Sequence, residues 1–420
     1  MNLELNILNI MDVRFGKKTM VRDGVLIVNR EELCSLIAMD PNFTKVNIEL
    51  AHAGENLRII NIHNVIEPRA KMDCTGENFP GVLGQLKIAG QGRTRVLRSI
   101  GIVTIDRMSG MRGTVIDMTG PGAKASPFGI LNHIILDCYP IVGIQWVELQ
   151  YALTVAAAKV SVYLAEASLD LEADEKENYN LGSPDEVGKG IEHLPRVAYI
   201  YFIHYMQMSV SSKAPVYYGD PVAKLLPTII HPNEILDGAV VQGLWNWCQS
   251  TYFIQNHPVI TELYRKHGKE LCFAGVVGVV ATTVSQDNKR NAMLASNLAK
   301  HVLNADGVIL SKIGGGAPNV DLGLTVEACE DLGIKTTVIC HDMSPDGSSD
   351  AALLFSTPEA QAIVCVGAHD VPFILPPVSK VIGGEAVNDM PATGEIRIVG
   401  YRLADALSIV GGSRIKSQEI

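Results

Sequence analysis

The chain has 420 residues, 47% of them hydrophobic and 19% charged, a globular composition with enough length to bury more than one core. Its net charge of −10 argues against nucleic acid as a partner, because phosphate backbones demand clustered Lys and Arg. No apolar run reaches the roughly 18–20 residues of a membrane span, and "MNLELNILNIMDVRF" lacks the basic-then-apolar order of a secretion signal. The eight cysteines show no CxxC and no zinc spacing, and several lie in apolar stretches such as "AIVCVG". The expectation is a cytoplasmic, reduced protein with no metal and no membrane contact.

In chain order, residues 1–142 read as a β-rich domain. The runs "GVLIVN", "KVNIEL", "LRIINIHNV", "RVLRSIGIVTI" and "GTVIDM" are rich in Val, Ile and Thr and are punctuated by turn residues. Many short strands predict a barrel-like module. Within it, "GQLKIAGQGRTRVLR" is no dinucleotide fingerprint and reads as a twisted hairpin whose arginines, Arg93, Arg95 and Arg98, are solvated. Residues 143–196 comprise a long helix, Gly143 to Ser168, rich in Ala and Leu, and then an acidic linker marked by Gly and Pro. From residue 197 to 420 the pattern alternates. Continuous apolar strands ("RVAYIYFIHYM", "LCFAGVVGVVAT", "DGVILSK", "KTTVICH", "AIVCVG") are separated by helical segments, which predicts an α/β domain around a parallel sheet.

Ligands of such sheets bind beyond the carboxyl ends of the strands, and the unusual peptides fall there. In "IGGGAPNVD" the glycines Gly314, Gly315 and Gly316 allow backbone N–H groups to approach an anion at a helix start. They suit a turn that opens a helix equally well, and the lysine of a Walker loop is missing after them. "HDMSPDGSSD" holds His341, Asp342, Asp346 and Asp350 but does not match calcium-loop spacing, so a capped loop is the preferred reading. His369 and Asp370 follow a strand, where an acid–base pair would be useful and where surface polarity is also ordinary. Substrate-binding candidates are therefore Gly314, Gly315, Gly316, Asn319, Asp321 and His369. Cys248, in "VQGLWNWCQSTY" with Trp245 and Trp247, is either a nucleophile or a packed, inert thiol.

Several stretches taken together resemble a known family. They include "LELNILNIMDVRFGKKTMVRDGVLIVNREEL", "VIEPRAK", "FPGVLGQ", "GTVIDMTGPGA", "LLPTIIHPNEILDGAVV", "HPVITELYRKHGKELCFAGV", "GGGAPNVDL" and "LPPVSKVIGG". In order and over nearly the whole chain they resemble the proprotein of the smaller subunits of component B of glycine/sarcosine/betaine reductase complexes and, more distantly, the D-proline reductase proprotein.

The resemblance implies an oxidoreductase component for reductive cleavage of a C–N bond in a small amine. It implies self-cleavage before a cysteine, here Cys248, leaving a pyruvoyl cofactor whose carbonyl forms a Schiff base with a primary amine. It further implies a larger component B subunit, bearing selenocysteine or cysteine, as partner. In that family an Asn-Cys bond follows the "DGAxVxG" run. Here "DGAVVQG" is followed by "LWNWCQSTY", with Trp247 before the cysteine. The alternative is an unprocessed, non-catalytic scaffold that docks the larger subunit.

Overall fold

The computed structural model describes residues 1–73, 75–108, 113–204, 216–222, 224–244, 249–281, 284–312, 317–342, 357–368, 370–411 and 418–419, with backbone alone at 317–319 and 418–419. The first part of the chain forms separate small sheets. One has the order β10-β1-β6-β5, from Glu175–Asn180, Asn2–Asn9, Gly92–Arg98 and Arg69–Lys71. A second has the order β2-β9-β7-β4, from Phe43–Ala51, Asn132–Pro140, Ile100–Ile105 and Ile62–Ile66. A third, β8-β3-β17, joins Val115–Asp117 and Leu57–Ile60 to Lys380–Ile382 from far down the chain.

None of these sheets closes on itself, so the expected barrel is not present among the described residues. The reason lies in the edge strands. β10 covers β1 in antiparallel register, and β17 runs parallel to β3, so segments from outside residues 1–142 occupy edges that closure would have required.

Two sequence expectations change with this arrangement. Within the polar stretch read as a linker, Glu175–Asn180 is a strand whose backbone completes a sheet, although its side chains are mostly exposed. The arginines of "GRTRVLR" are not uniformly solvated. Arg93 is exposed, but Arg95 is 1% exposed and reaches the Leu171 carbonyl, and Arg98 pairs with Glu175 and Glu177. Strand β6 is sandwiched between β1 and β5, which takes part of its polar face out of water.

Helix α1, Trp146–Glu166, forms because Ala, Leu and Val recur over six turns with no Gly or Pro to interrupt them. It buries Leu149, Leu153, Ala156, Val160 and Leu164 against Ile66, Leu97, Ile102, Ile134 and Leu136 of the strands. Its mixed apolar faces agree with being covered on several sides.

The second part is a seven-stranded sheet in the order β12-β13-β11-β14-β15-β16-β18. The strands are Thr228–Ile230, Cys272–Val280, Arg196–Ile203, Gly307–Ser311, Lys335–Asp342, Ile363–Ala368 and Gln418–Glu419. The five central strands are parallel, and both edge strands are antiparallel. Short helices α2 (Thr251–Gln255) and α3 (Pro258–Lys266) cover one face, where Tyr199, Tyr201 and Val276 meet Phe253, Ile254, Ile260 and Leu263. Helices α4 (Ser285–Asn297) and α5 (Ala317–Asp331) belong to the other cluster, in which Ala295, Leu322 and Val326 join Ile200, Phe202 and Leu310. Burial on both faces explains why these strands are apolar without alternation.

Candidate functional site

The parallel strands end along one edge, and that edge is polar. His204 follows β11, Lys312 follows β14, and His341 is the penultimate residue of β15. All three are buried at 5%, 1% and 4% exposure, where unsatisfied polar groups carry a cost. Lys312 Nζ donates to Asp321 Oδ2 at 2.6 Å and stands 5.1 Å from the Phe202 ring centre. Burial pulls the Lys312 ammonium down to about 8, against the opposing pull of Asp321. Burial, with the nearby charges of Lys312 and His341, lowers His204 to about 3, so its imidazole is neutral. His204 Nε2 has no hydrogen-bond partner among the described residues.

The segment that carries Cys248 is tied to this edge from both sides. The Gln242 N–H donates to Thr251 Oγ1 at 3.0 Å, and the Thr251 hydroxyl donates back to the Gln242 carbonyl at 2.8 Å. That exchange draws the two ends of residues 242–251 together. Gln242 Nε2 donates to the His204 carbonyl at 2.7 Å, anchoring the near end to β11. Asn64 bonds Thr251 twice, and the Leu244 N–H donates to the His63 carbonyl, so the β-rich part holds the segment as well.

The far end is held by an acid. The Ser250 N–H donates to Asp405 Oδ2 at 3.2 Å, and the Ser250 hydroxyl also donates to that carboxylate. Asp405 is buried, and burial raises its carboxyl to about 7 despite the hydrogen bonds from Ser250. A group poised there can hold or release a proton at neutral pH. On the sheet side, Tyr199 and Ser311 hydrogen-bond to each other and His257 lies 3.4 Å from the Tyr199 hydroxyl, a buried polar chain below the edge.

Of the catalytic and substrate-binding candidates read from sequence, Asp321 is the one whose side chain is described, and it proves to be the partner of Lys312. Asn319 lies in the first turn of α5 by its backbone alone. Cys248, Gly314, Gly315, Gly316 and His369 lie outside the described residues.

Residues 1–407 match the family model described as glycine/sarcosine/betaine reductase component B subunits. The chain belongs to that family. It is 32% identical, over the full length of both chains, to the glycine reductase complex component B subunits alpha and beta of Acetoanaerobium sticklandii. It is 34% identical to the sarcosine reductase complex component B subunit alpha of Peptoclostridium acidaminophilum, over 91% of this chain and 89% of that one. With the betaine reductase complex component B subunit alpha of the same organism the identity is 31%, over 91% and 88%. No solved structure matches.

In this component B-family chain, Lys312, His204 and Asp405 escape the sequence reading for related reasons. Lys312 stands before the three glycines, where a phosphate-loop search does not look, and a lone lysine after an apolar strand reads as a solvated end. Asp405, in "RLADALSIV", offered one signal: a carboxylate inside an otherwise apolar run.

Proposed function

We propose that this chain is a component B subunit of a reductase complex that reductively cleaves the C–N bond of a small amine such as glycine, sarcosine or betaine. A larger thiol- or selenol-bearing subunit would attack the substrate held at the strand edge. The family membership over residues 1–407 carries the reading, and the polar edge supports it.

The same edge fits a self-made pyruvoyl group at Cys248. A segment clamped between Gln242 and Thr251, with a buried acid on Ser250 two residues beyond the cysteine, suits an intramolecular attack on the preceding carbonyl. Such a group would supply an electron-withdrawing ketone next to the substrate amine. In this chain Asp405 would hold or deliver a proton at Ser250, Gln242 would fix the segment against β11, and Lys312 with Asp321 would set the local charge.

The second reading, an unprocessed scaffold docking the larger subunit, is favoured by Trp247 in front of Cys248. It is also favoured by relatives named as subunit alpha alone. Intact mass separates the two. Processing leaves fragments of 247 and 173 residues, the smaller reactive towards hydrazines, and Cys248→Ala stays whole. One unmodified 420-residue species in a complex that turns over would remove the pyruvoyl from the proposal and leave the scaffold.

A further inference from the structure

At the carboxyl end of β13 lies a cavity of about 450 Å³, lined by Lys224, Leu225, Val280, Asp287, Arg290 and Asn291 among others. Asn291, on α4, is 6% exposed. Its Nδ2 donates to the Val280 carbonyl at 3.5 Å, which orients the amide and leaves Oδ1 without a partner. One turn earlier Asn288, 3% exposed, also has an unpartnered Oδ1. Buried acceptors of this kind are rare in folded proteins because each forfeits its hydrogen bond to water. A ligand in the cavity with an N–H donor would relieve Asn291, which lines it.

The rest of the lining asks for the opposite charge. Lys224 is exposed, and helix α4 starts at Ser285. An ammonium group and a helix N-terminus both favour an anion. Arg290 is already paired with Asp287 at 2.8 Å, so Lys224 is the cation left for a ligand among the lining residues described. Val280 pairs in register with Ile203, the residue before His204, and the His204 carbonyl binds Gln242. The cavity therefore shares its edge with the Cys248 segment.

We infer that this cavity takes the amino-acid end of the substrate, an amine N–H on Asn291 Oδ1 and a carboxylate towards Lys224 and the start of α4, and that it selects by N-methylation. The inference rests on the proposed component B role. Glycine, sarcosine and betaine share one carboxymethyl unit and differ at nitrogen. The first two carry N–H donors; betaine, a quaternary ammonium, carries none and leaves the Asn291 oxygen unmet.

Calorimetric titration of the full chain with glycine, sarcosine and betaine tests this directly. The two N–H amines should bind at least about tenfold more tightly than betaine, since a site built to meet an N–H rejects an analogue lacking it. Asn291→Leu, close in size but without the acceptor, should weaken glycine and sarcosine towards the betaine value and narrow that gap. Lys224→Gln, at an exposed position, should weaken all three by roughly two- to fivefold. Betaine binding as tightly as glycine, no binding of any of the three, or unaltered affinities in Asn291→Leu would overturn the assignment. Turnover by the reconstituted complex separates this from the broader proposal. Normal turnover with unchanged KM in both variants defeats the cavity alone, whereas selective binding without any reduction defeats the reductase role and leaves the cavity standing.

Discussion

Arg58 and Lys312 are both buried cations paired with a carboxylate, one in the β-rich part and one at the edge of the parallel sheet, and their surroundings differ. Arg58 uses its whole fork. Nε and Nη2 donate to the two oxygens of Asp117 at 2.6 and 3.0 Å. Nη1 donates to the carbonyls of Ala392 and Gly394, and Nη2 also to that of Pro376. Backbone carbonyls have replaced the water that the guanidinium lost, and they come from the segment that returns with β17 to complete the third sheet. Lys312 has Asp321, an aromatic face and a neutral imidazole nearby, a poorer substitute for water, and burial lowers its proton affinity to about 8. The first site locks two distant stretches of chain. The second keeps groups that can change protonation where the strands end.

Removing the lock should have the largest effect. Arg58→Met leaves Asp117 buried without its partner and should cost about 3–5 kcal/mol in urea unfolding. Replacing Asp117 by Leu in the same chain should recover much of that loss, because the uncompensated charge disappears. A single variant that loses under about 1 kcal/mol would erase the contrast between the two sites.

The strand edge should show itself through pH. The Asp405 carboxyl is raised in the fold, so between its unfolded value near 4 and its folded value of about 7 the native state binds more protons. The stability it contributes is full below pH 4 and is lost as pH rises through 7. Asp405→Asn stays neutral throughout, so its stability relative to wild type should improve from pH 4 to pH 8, by on the order of 1–3 kcal/mol. A difference independent of pH would mean that Asp405 is not a poised acid.

The smallest effect calibrates both. Lys266, the last residue of α3, pairs with Glu262 one turn earlier and with Glu270 beyond the helix. Lys266→Ala should change stability by no more than about 0.5 kcal/mol. A larger loss would show that ion pairs in this protein do not divide by burial.

Apolar runs made much of the fold legible. The parallel strands and α1 fall where hydrophobic length and helix-forming residues put them, and α1 is Trp146–Glu166 within the expected Gly143–Ser168. Strand β10, "EKENYN", carried no such signal, because its role is to offer a backbone edge to β1 while most of its side chains face water. The polar edge that makes the candidate site was foreseeable as a location, the carboxyl ends of the parallel strands, and much less as a set of residues. A glycine triplet announces itself in sequence, whereas Lys312 and Asp405 look like any lysine and aspartate until burial is known.

Sequence alone determined the elements whose signal is local: apolar strands, Ala-rich helix, and the family to which their order belongs. Tertiary structure decided what depends on distant partners. It placed β17 beside β3, buried Arg58 among carbonyls more than 300 residues away, and drew Gln242, Thr251 and Asp405 around the Cys248 segment. It also left Asn291 with an oxygen unmet beside a cavity. The physical reason is that a side chain's hydrophobic pattern travels with its own sequence. The hydration it loses, and the charge it meets instead, are set by whichever remote segment packs against it.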